Sequence, residues 1–247
     1  KIERIFMAIL GKRNQLEIVR SATPGLYLNG GELGEVLLPN RYRPEQFEIG
    51  DVLDVFVFRD SEDRLTATTE EPFAWAGEVA LFEVVQEVPG VGAFLDWGLP
   101  KDLLLPLREQ SRRVREGDWV VAMVLVDPRS NRIIASTKLD QYLDLKNHEY
   151  HPGQPVRFLI AEETPMGYNC IVDHSHWGLL YAKDLALPME IGESIDGYIR
   201  TVREDRKIDL SLDPSGYERV GPIALQILDK LKAAGGRLEF NDKTPPE

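Results

Sequence analysis

The sequence predicts an all-β protein: three tandem five-stranded barrels and a short α/β tail. Two observations carry that expectation, a glycine pattern written three times and the alternation of apolar residues along the segments between. Each copy has a glycine opening an apolar segment and, at the same interval every time, a second glycine followed at once by an acid. The pairs are Gly25/Gly50-Asp51, Gly92/Gly117-Asp118 and Gly167/Gly192-Glu193, with the third copy set slightly farther from the second than the second is from the first. A recurring interval of this kind means that one structural unit is repeated, so it says more about architecture than any single motif.

The elements follow in order. After the first glycine comes a short strand with inward Leu26/Leu28 in copy one and Ala93/Leu95 in copy two. A third strand carries Leu37-Leu38-Pro39, Leu104-Leu105-Pro106 and Leu179-Leu180-Tyr181. The strand after the second glycine keeps one apolar face, with Leu53, Val55 and Val57 matched by Val120, Ala122 and Val124 and by Ile195, Gly197 and Ile199. Period two with one apolar face is the mark of a half-buried strand. In the second copy the five strands are expected at Gly77–Val85, Gly92–Trp97, Leu103–Leu105, Trp119–Asp127 and Arg132–Thr137, with turns at Pro89-Gly90 and Asp127–Asn131. A longer polar connection, Leu107–Glu116, joins the third and fourth strands.

Five antiparallel strands with one longer connection describe an OB-fold barrel, whose second and third strands usually form the ligand face. A seven-stranded sandwich needs more strands than one unit supplies. The expected units are residues 1–71, 72–147, 148–213 and the tail 214–247. A unit of this size lies at the small end of independently folding domains.

Gly77-Glu78-Val79, Val91–Asp96, Gly117–Val120 and Arg132–Ser136 resemble the S1 RNA-binding domain. The three-copy layout with its tail is similar to the conserved virulence factor B family of bacterial regulators. That resemblance implies three S1-type barrels, a winged helix after them, and RNA as the partner.

Single-stranded RNA is held by bases stacked on exposed rings while cations follow the phosphates, each stacked base contributing roughly 1–3 kcal/mol. On strand two the outward position is Tyr27, then Phe94, then Asn169. Two positions are basic in every copy: Arg41, Arg108 and Lys183 after the third strand, and Arg64, Arg132 and Lys207 at the start of the fifth. Tyr168 and Tyr181 complete the expected RNA-binding set, with Tyr181 the best stacking candidate. Trp75 and Trp97 read as packing residues, and Trp119 as a plug between domains. The S1 pattern usually has an aromatic before the strand-two glycine and a histidine ending strand three. Here those positions hold Pro24, Val91 and Met166, and Pro39, Pro106 and Tyr181. Each unit is therefore expected to bind weakly, and useful affinity to come from several units on one strand.

Charge bounds the partner. The net charge is −12, and every barrel-sized segment carries more acid than base: 9 basic against 13 acidic over 1–71, 9 against 11 over 72–147, and 6 against 12 over 148–213. A general grip on duplex phosphates is not expected, so any polyanion site is a local groove. No cofactor and no catalytic residue is expected. His148, His151, His174 and His176 have feasible metal spacings but are unrepeated and lack a cysteine pattern, so no metal is assigned. Asp173-His174-Ser175 has triad residue types without triad geometry, and no phosphate-binding loop motif occurs.

The single Cys170 and the absence of a long apolar run suggest a soluble, cytoplasmic protein. From Pro222, Ile223, Ile227, Leu228 and Leu231 fall at helical spacing, with a stop at Gly235-Gly236 and a strand at Leu238–Phe240. This resembles the start of a winged helix, expected either to continue past residue 247 or to pack on unit three. At the other end Ile2, Ile5, Phe6, Ile9 and Leu10 also fall at helical spacing, whereas the repeat expects a strand near Leu10. The functional expectation is a non-catalytic regulator that captures single-stranded RNA. The rivals are a protein-interaction scaffold and, further off, an accessory subunit of an RNA-processing enzyme.

Overall fold

The computed structural model describes residues 7–144 and 149–213. These residues form three closed five-stranded barrels. The first contains β1 (Arg13–Ala22), β2 (Gly25–Asn29), β3 (Glu35–Pro39), β4 (Val52–Arg59) and β5 (Leu65–Thr68). The second contains β6 (Val79–Val88), β7 (Gly92–Asp96), β8 (Leu103–Pro106), β9 (Trp119–Asp127) and β10 (Arg132–Ser136). The third contains β11 (Pro155–Thr164), β12 (Gly167–Val172), β13 (His176–Tyr181), β14 (Ser194–Val202) and β15 (Ile208–Ser211). In each, the first strand pairs antiparallel with the second and fourth, and a parallel pairing of third with fifth closes the barrel, as at Leu37↔Thr66, Leu104↔Ile134 and Leu179↔Asp209. This is the OB topology expected from the repeat.

The glycine pattern has a backbone cause. Gly25, Gly92 and Gly167 lie where the third strand crosses the second, with φ of 155°, 151° and 148°. A Cβ there would fall 2.0, 2.3 and 2.1 Å from the carbonyl oxygens of Leu38, Leu105 and Leu180. Only glycine fits such an approach. The second glycine serves the middle of the first strand. Gly50, Gly117 and Gly192 donate their N–H groups to the carbonyls of Ile18, Val84 and Ile160, at 2.9, 2.8 and 2.7 Å. The acid that follows accepts the N–H of the same three residues through its own carbonyl, at 2.8, 2.8 and 2.9 Å. Each of those residues stands beside a bulge in its strand, where the pairing with the second strand shifts. The first glycine thus permits the close approach of the second and third strands, and the second ties the entry to the fourth strand to the bulge of the first.

The alternating residues fill the barrels. Leu16, Ile18, Leu26, Leu28, Leu38 and Val55 are buried in the first, and Phe82, Val84, Leu95, Leu105, Ala122 and Val124 in the second. The third uses Phe158, Ile160, Cys170, Leu180, Ile199 and Leu210. Residues 7–12 run as coil and turn, and β1 starts at Arg13, later than the strand expected near Leu10. The buried Asn14 side chain holds that approach, accepting the Ile9 N–H at 2.7 Å and donating to the carbonyls of Ile9 and Lys12. Ile2, Ile5, Phe6, His148 and the tail read as a winged-helix start lie outside the described residues.

The barrels pack on one another. Phe56 and Phe58, on the outer face of β4, are buried with the second barrel's core, and the Phe56 and Trp97 rings meet edge-on at 5.8 Å. Lys101 reaches across to donate to the carbonyls of Arg59 and Asp60 at 2.8 and 2.9 Å. Barrels two and three share an apolar seam of Val79, Met123, Leu139 and Leu143 against Leu159 and Ile171. The Val79 N–H donates to His174 Nδ1 at 3.0 Å there, and Trp177 Nε1 donates to Asp140 at 3.0 Å.

Candidate nucleic-acid interface

Each barrel presents its second strand beside the bulged first strand, and the register decides which side chains meet. In barrel one Arg20 stands opposite Tyr27. Its guanidinium lies over the half-buried Tyr27 ring, 3.5 Å from the centroid, and donates two hydrogen bonds to Glu35 at 2.9 and 2.6 Å. That pairing holds the Glu35 carboxyl below the usual carboxylate range and raises the guanidinium's own affinity for its proton. In barrel two the opposing pair is Gln86 and a half-buried Phe94, and in barrel three it is Glu162 and Asn169, joined by a hydrogen bond of 3.2 Å. The same place therefore runs from cation-on-ring, through ring alone, to acid and amide.

Barrel three moves its aromatic to the third strand. The Tyr181 hydroxyl accepts a hydrogen bond from Arg203 at 2.6 Å, and Arg203 also binds Asp209 through two nitrogens, at 3.0 and 2.5 Å. Lys183 Nζ sits 5.1 Å from the Tyr181 ring centre. The ring is fixed at its polar end and flanked by a cation, an arrangement suited to a base and its phosphate.

Tyr168 is a correction. It is only 6% exposed, lies in the third barrel's core, and accepts the Met189 N–H on its hydroxyl at 3.2 Å. Its counterparts in the two earlier copies are Ala93 and Leu26, both inward, so the repeat itself assigns it to the core. Trp119 is a second correction: the side chain expected to plug a domain seam is 58% exposed. Trp97 is buried and Trp75 partly buried against the same core, as packing residues.

The six repeated cations divide. Arg64 pairs with Asp60 and Glu62, Arg108 with Asp127 and Glu109, and Lys207 with Asp205. Arg132 pairs with Asp63 at 3.1 Å, bridging barrels one and two. Arg41 and Lys183 have no ion pair among the described residues and lie over the rings of Tyr42 and Tyr181. Both follow the third strand on short 3-10 turns, Asn40–Tyr42 and Ala182–Asp184. Arg20 and Arg203 went unnoticed in the sequence because neither recurs. The register of β1 with β2 sets Arg20 beside Tyr27, and Arg203 reaches the Tyr181 hydroxyl from the turn after β14.

Between barrels two and three lies an open groove of about 1720 Å³, lined by Arg112, Trp119, Lys138, Met166, Trp177 and Lys207 among others. Two of the histidines have local partners. His174 closes the seam described above, and the buried His176 meets the Tyr150 ring edge-on at 5.4 Å. No three His, Cys, Asp or Glu side chains among the described residues are grouped to hold a metal ion. No helix among them is long and apolar enough to cross a membrane.

One of the three barrels matches a known domain pattern. The S1 domain pattern matches residues 10–70. The uncharacterized protein YitL of Bacillus subtilis is 27% identical over 249 residues, covering 96% of this chain and 81% of that protein. Conserved virulence factor B of Staphylococcus aureus (strain USA300) is 25% identical over 260 residues, covering 97% and 82%. Among solved structures, a Streptococcus pneumoniae multidomain protein with nucleic acid binding domains aligns over 96% of this chain and 85% of that one, at 21% identity and a TM-score of 0.46.

Proposed function

Because the chain belongs to the conserved virulence factor B family and carries an S1 domain over residues 10–70, we propose that it is a non-catalytic regulator that captures single-stranded RNA across its barrels. The observation that carries the reading is the Tyr181 site, where a fixed, half-buried ring has a cation without an ion pair at its face and an arginine at its hydroxyl. The S1 match supports nucleic acid as the partner. A net charge of −12 favours single strands, which offer stacking faces, over duplexes, which offer mainly phosphates.

On this reading the contact set is Arg20 on Tyr27 with Arg41 and Arg64 in barrel one, Phe94 with Arg108 and Arg132 in barrel two, and Tyr181 with Lys183 and Lys207 in barrel three. Arg64, Arg108, Arg132 and Lys207 must exchange an acid for a phosphate, so they contribute less than Arg41 and Lys183. Binding is weak per barrel and strengthened by sharing one strand. The cytoplasm, where such RNA is found, is the expected compartment.

Fluorescence anisotropy with a labelled single-stranded RNA tests the reading. The Tyr181→Ala, Lys183→Ala, Lys207→Ala variant should weaken binding by about tenfold or more. Unchanged affinity in that variant refutes the site. No binding by the parent protein at low salt favours the scaffold instead.

A further inference from the structure

The connection between β8 and β9 carries three arginines, Arg112, Arg113 and Arg115, around the buried Val114. All three are exposed, and none has an ion pair among the described residues. Four of the six repeated cations, by contrast, are matched with acids. Shortly after them stands Trp119, 58% exposed, and Arg112 and Trp119 line the same side of the groove between barrels two and three.

The repeat shows that the fold does not require these side chains. Val114 corresponds to Phe47 and Met189, apolar in all copies and packed against each barrel's core. The arginines, however, correspond to Glu45, Gln46 and Glu48 in copy one and to Leu187, Pro188 and Glu190 in copy three. Trp119 corresponds to Val52 and Ser194. A large indole left more than half exposed, beside unneutralised arginines, lacks a packing reason and matches the composition of a stacking site with a phosphate track.

The acids nearby are mostly engaged. Asp118 accepts the Arg115 N–H at 2.9 Å, Asp140 holds the Trp177 indole, and Asp205 pairs with Lys207. Glu116, exposed beside the arginines, and Glu163, on the far wall, carry no such bond. The barrel-two side thereby offers the loop arginines to phosphates, and the far side carries Arg203, Arg206 and Lys207 beside Glu162, Glu163 and Asp205, with the exposed Met166 and the half-buried Trp177 as apolar contacts.

From this arrangement we infer that the Arg112–Arg115 loop and Trp119 form a second RNA contact, outside the ligand-face strands, which guides one single strand along the groove from barrel two to barrel three. The inference rests on the RNA-binding reading above and adds a site that the repeated positions do not contain. Its occupant is a run of unpaired nucleotides, because an acidic peptide would satisfy the arginines but leave the indole without a stacking partner.

The test compares three variants of the full chain, R112Q/R113Q/R115Q, W119A and Y181A/K183A, by anisotropy with a labelled single-stranded RNA of about 16 nucleotides. Polyglutamate serves as competitor. The arginine variant should bind about tenfold or more weakly, with a salt slope shallower by about 2, three contacts each contributing about 0.7. W119A should bind about 5- to 100-fold more weakly. Both should keep the parent's unfolding midpoint, since the substituted side chains are exposed. Parent-like affinity in both, with loss in Y181A/K183A, overturns the groove contact and leaves the proposed function standing. No RNA binding by the parent overturns both. Displacement of the RNA by equal charge of polyglutamate overturns the nucleotide assignment in favour of an acidic protein partner.

Discussion

Arg20 lies 3.5 Å from the centre of the Tyr27 ring while Glu35 holds one edge of the guanidinium through Nε and Nη2. The outermost plane of the first barrel's ligand face is therefore a guanidinium supported by a phenol ring. Guanidinium planes stack on bases as aromatic rings do. Glu35 competes with any phosphate for that cation. Glu35→Gln should release it and tighten RNA binding by about two- to fivefold, the range of an exposed ion pair. Anisotropy at low salt measures the change, and a purely structural role for the pair would give no gain.

The close approach at Gly92, at the start of the second barrel's ligand-face strand, predicts a large stability effect. Its φ of 151° and the 2.3 Å separation between a built Cβ and the Leu105 oxygen leave no room for a methyl group. Gly92→Ala should destabilise the protein by about 2–4 kcal/mol. Gly90, also at positive φ but with open space around it, should cost only about 1 kcal/mol on the same change. Urea denaturation of the two variants distinguishes steric crossing from simple turn preference.

The contrast explains what the sequence made legible. The repeated glycines and alternating core residues declared the barrels because closure imposes the same geometry in all three copies. The ligand faces were partly hidden because function, unlike closure, is divided among the copies. Tyr168 looked like one more ring until its inward counterparts Leu26 and Ala93 were considered. The Arg20 contact depends on strand register across a bulge and the Arg203 contact on the turn between β14 and β15, neither of which composition reveals. Trp119 takes the outward position before the buried Val120 and is exposed like its counterparts Val52 and Ser194, so the repeat marks its direction, whereas the lack of a covering barrel is a tertiary fact.

Cys170 is fully buried in the third barrel, and burial pushes its thiol up to about 12. At pH 8 almost none of it is thiolate, the reactive form. A colorimetric thiol reagent should therefore find no reactive group in the native protein and one per chain in denaturant. Rapid labelling of the native chain would indicate that the barrel opens.

Asp127 ties the end of β9 to the turn that follows it. Its carboxylate accepts the Ser130 hydroxyl at 2.7 Å, the Arg129 N–H at 3.3 Å and Arg108 at 3.0 Å. The Ser130 hydrogen bond, with help from Arg129 and Arg108, lowers its pKa below the ordinary value. On acidification the unfolded chain thus takes up the proton first. The stabilising contribution is complete above the unfolded value of about 3.9 and is lost as pH falls through the lower folded value. Asp127→Asn should be less stable at pH 7 and show a shallower loss of stability below about pH 4, measured by thermal melts across that range.

On the proposed reading one RNA strand is shared among barrels that bind weakly alone. Affinity against RNA length tests it most directly, using unstructured single strands from about 6 to about 30 nucleotides, since one barrel of this class covers about 4–16. Affinity should rise steeply once the strand spans two barrels, by about 10²-fold or more over the gain from extra binding registers. A flat length dependence, or no binding at any length in low salt, would contradict it.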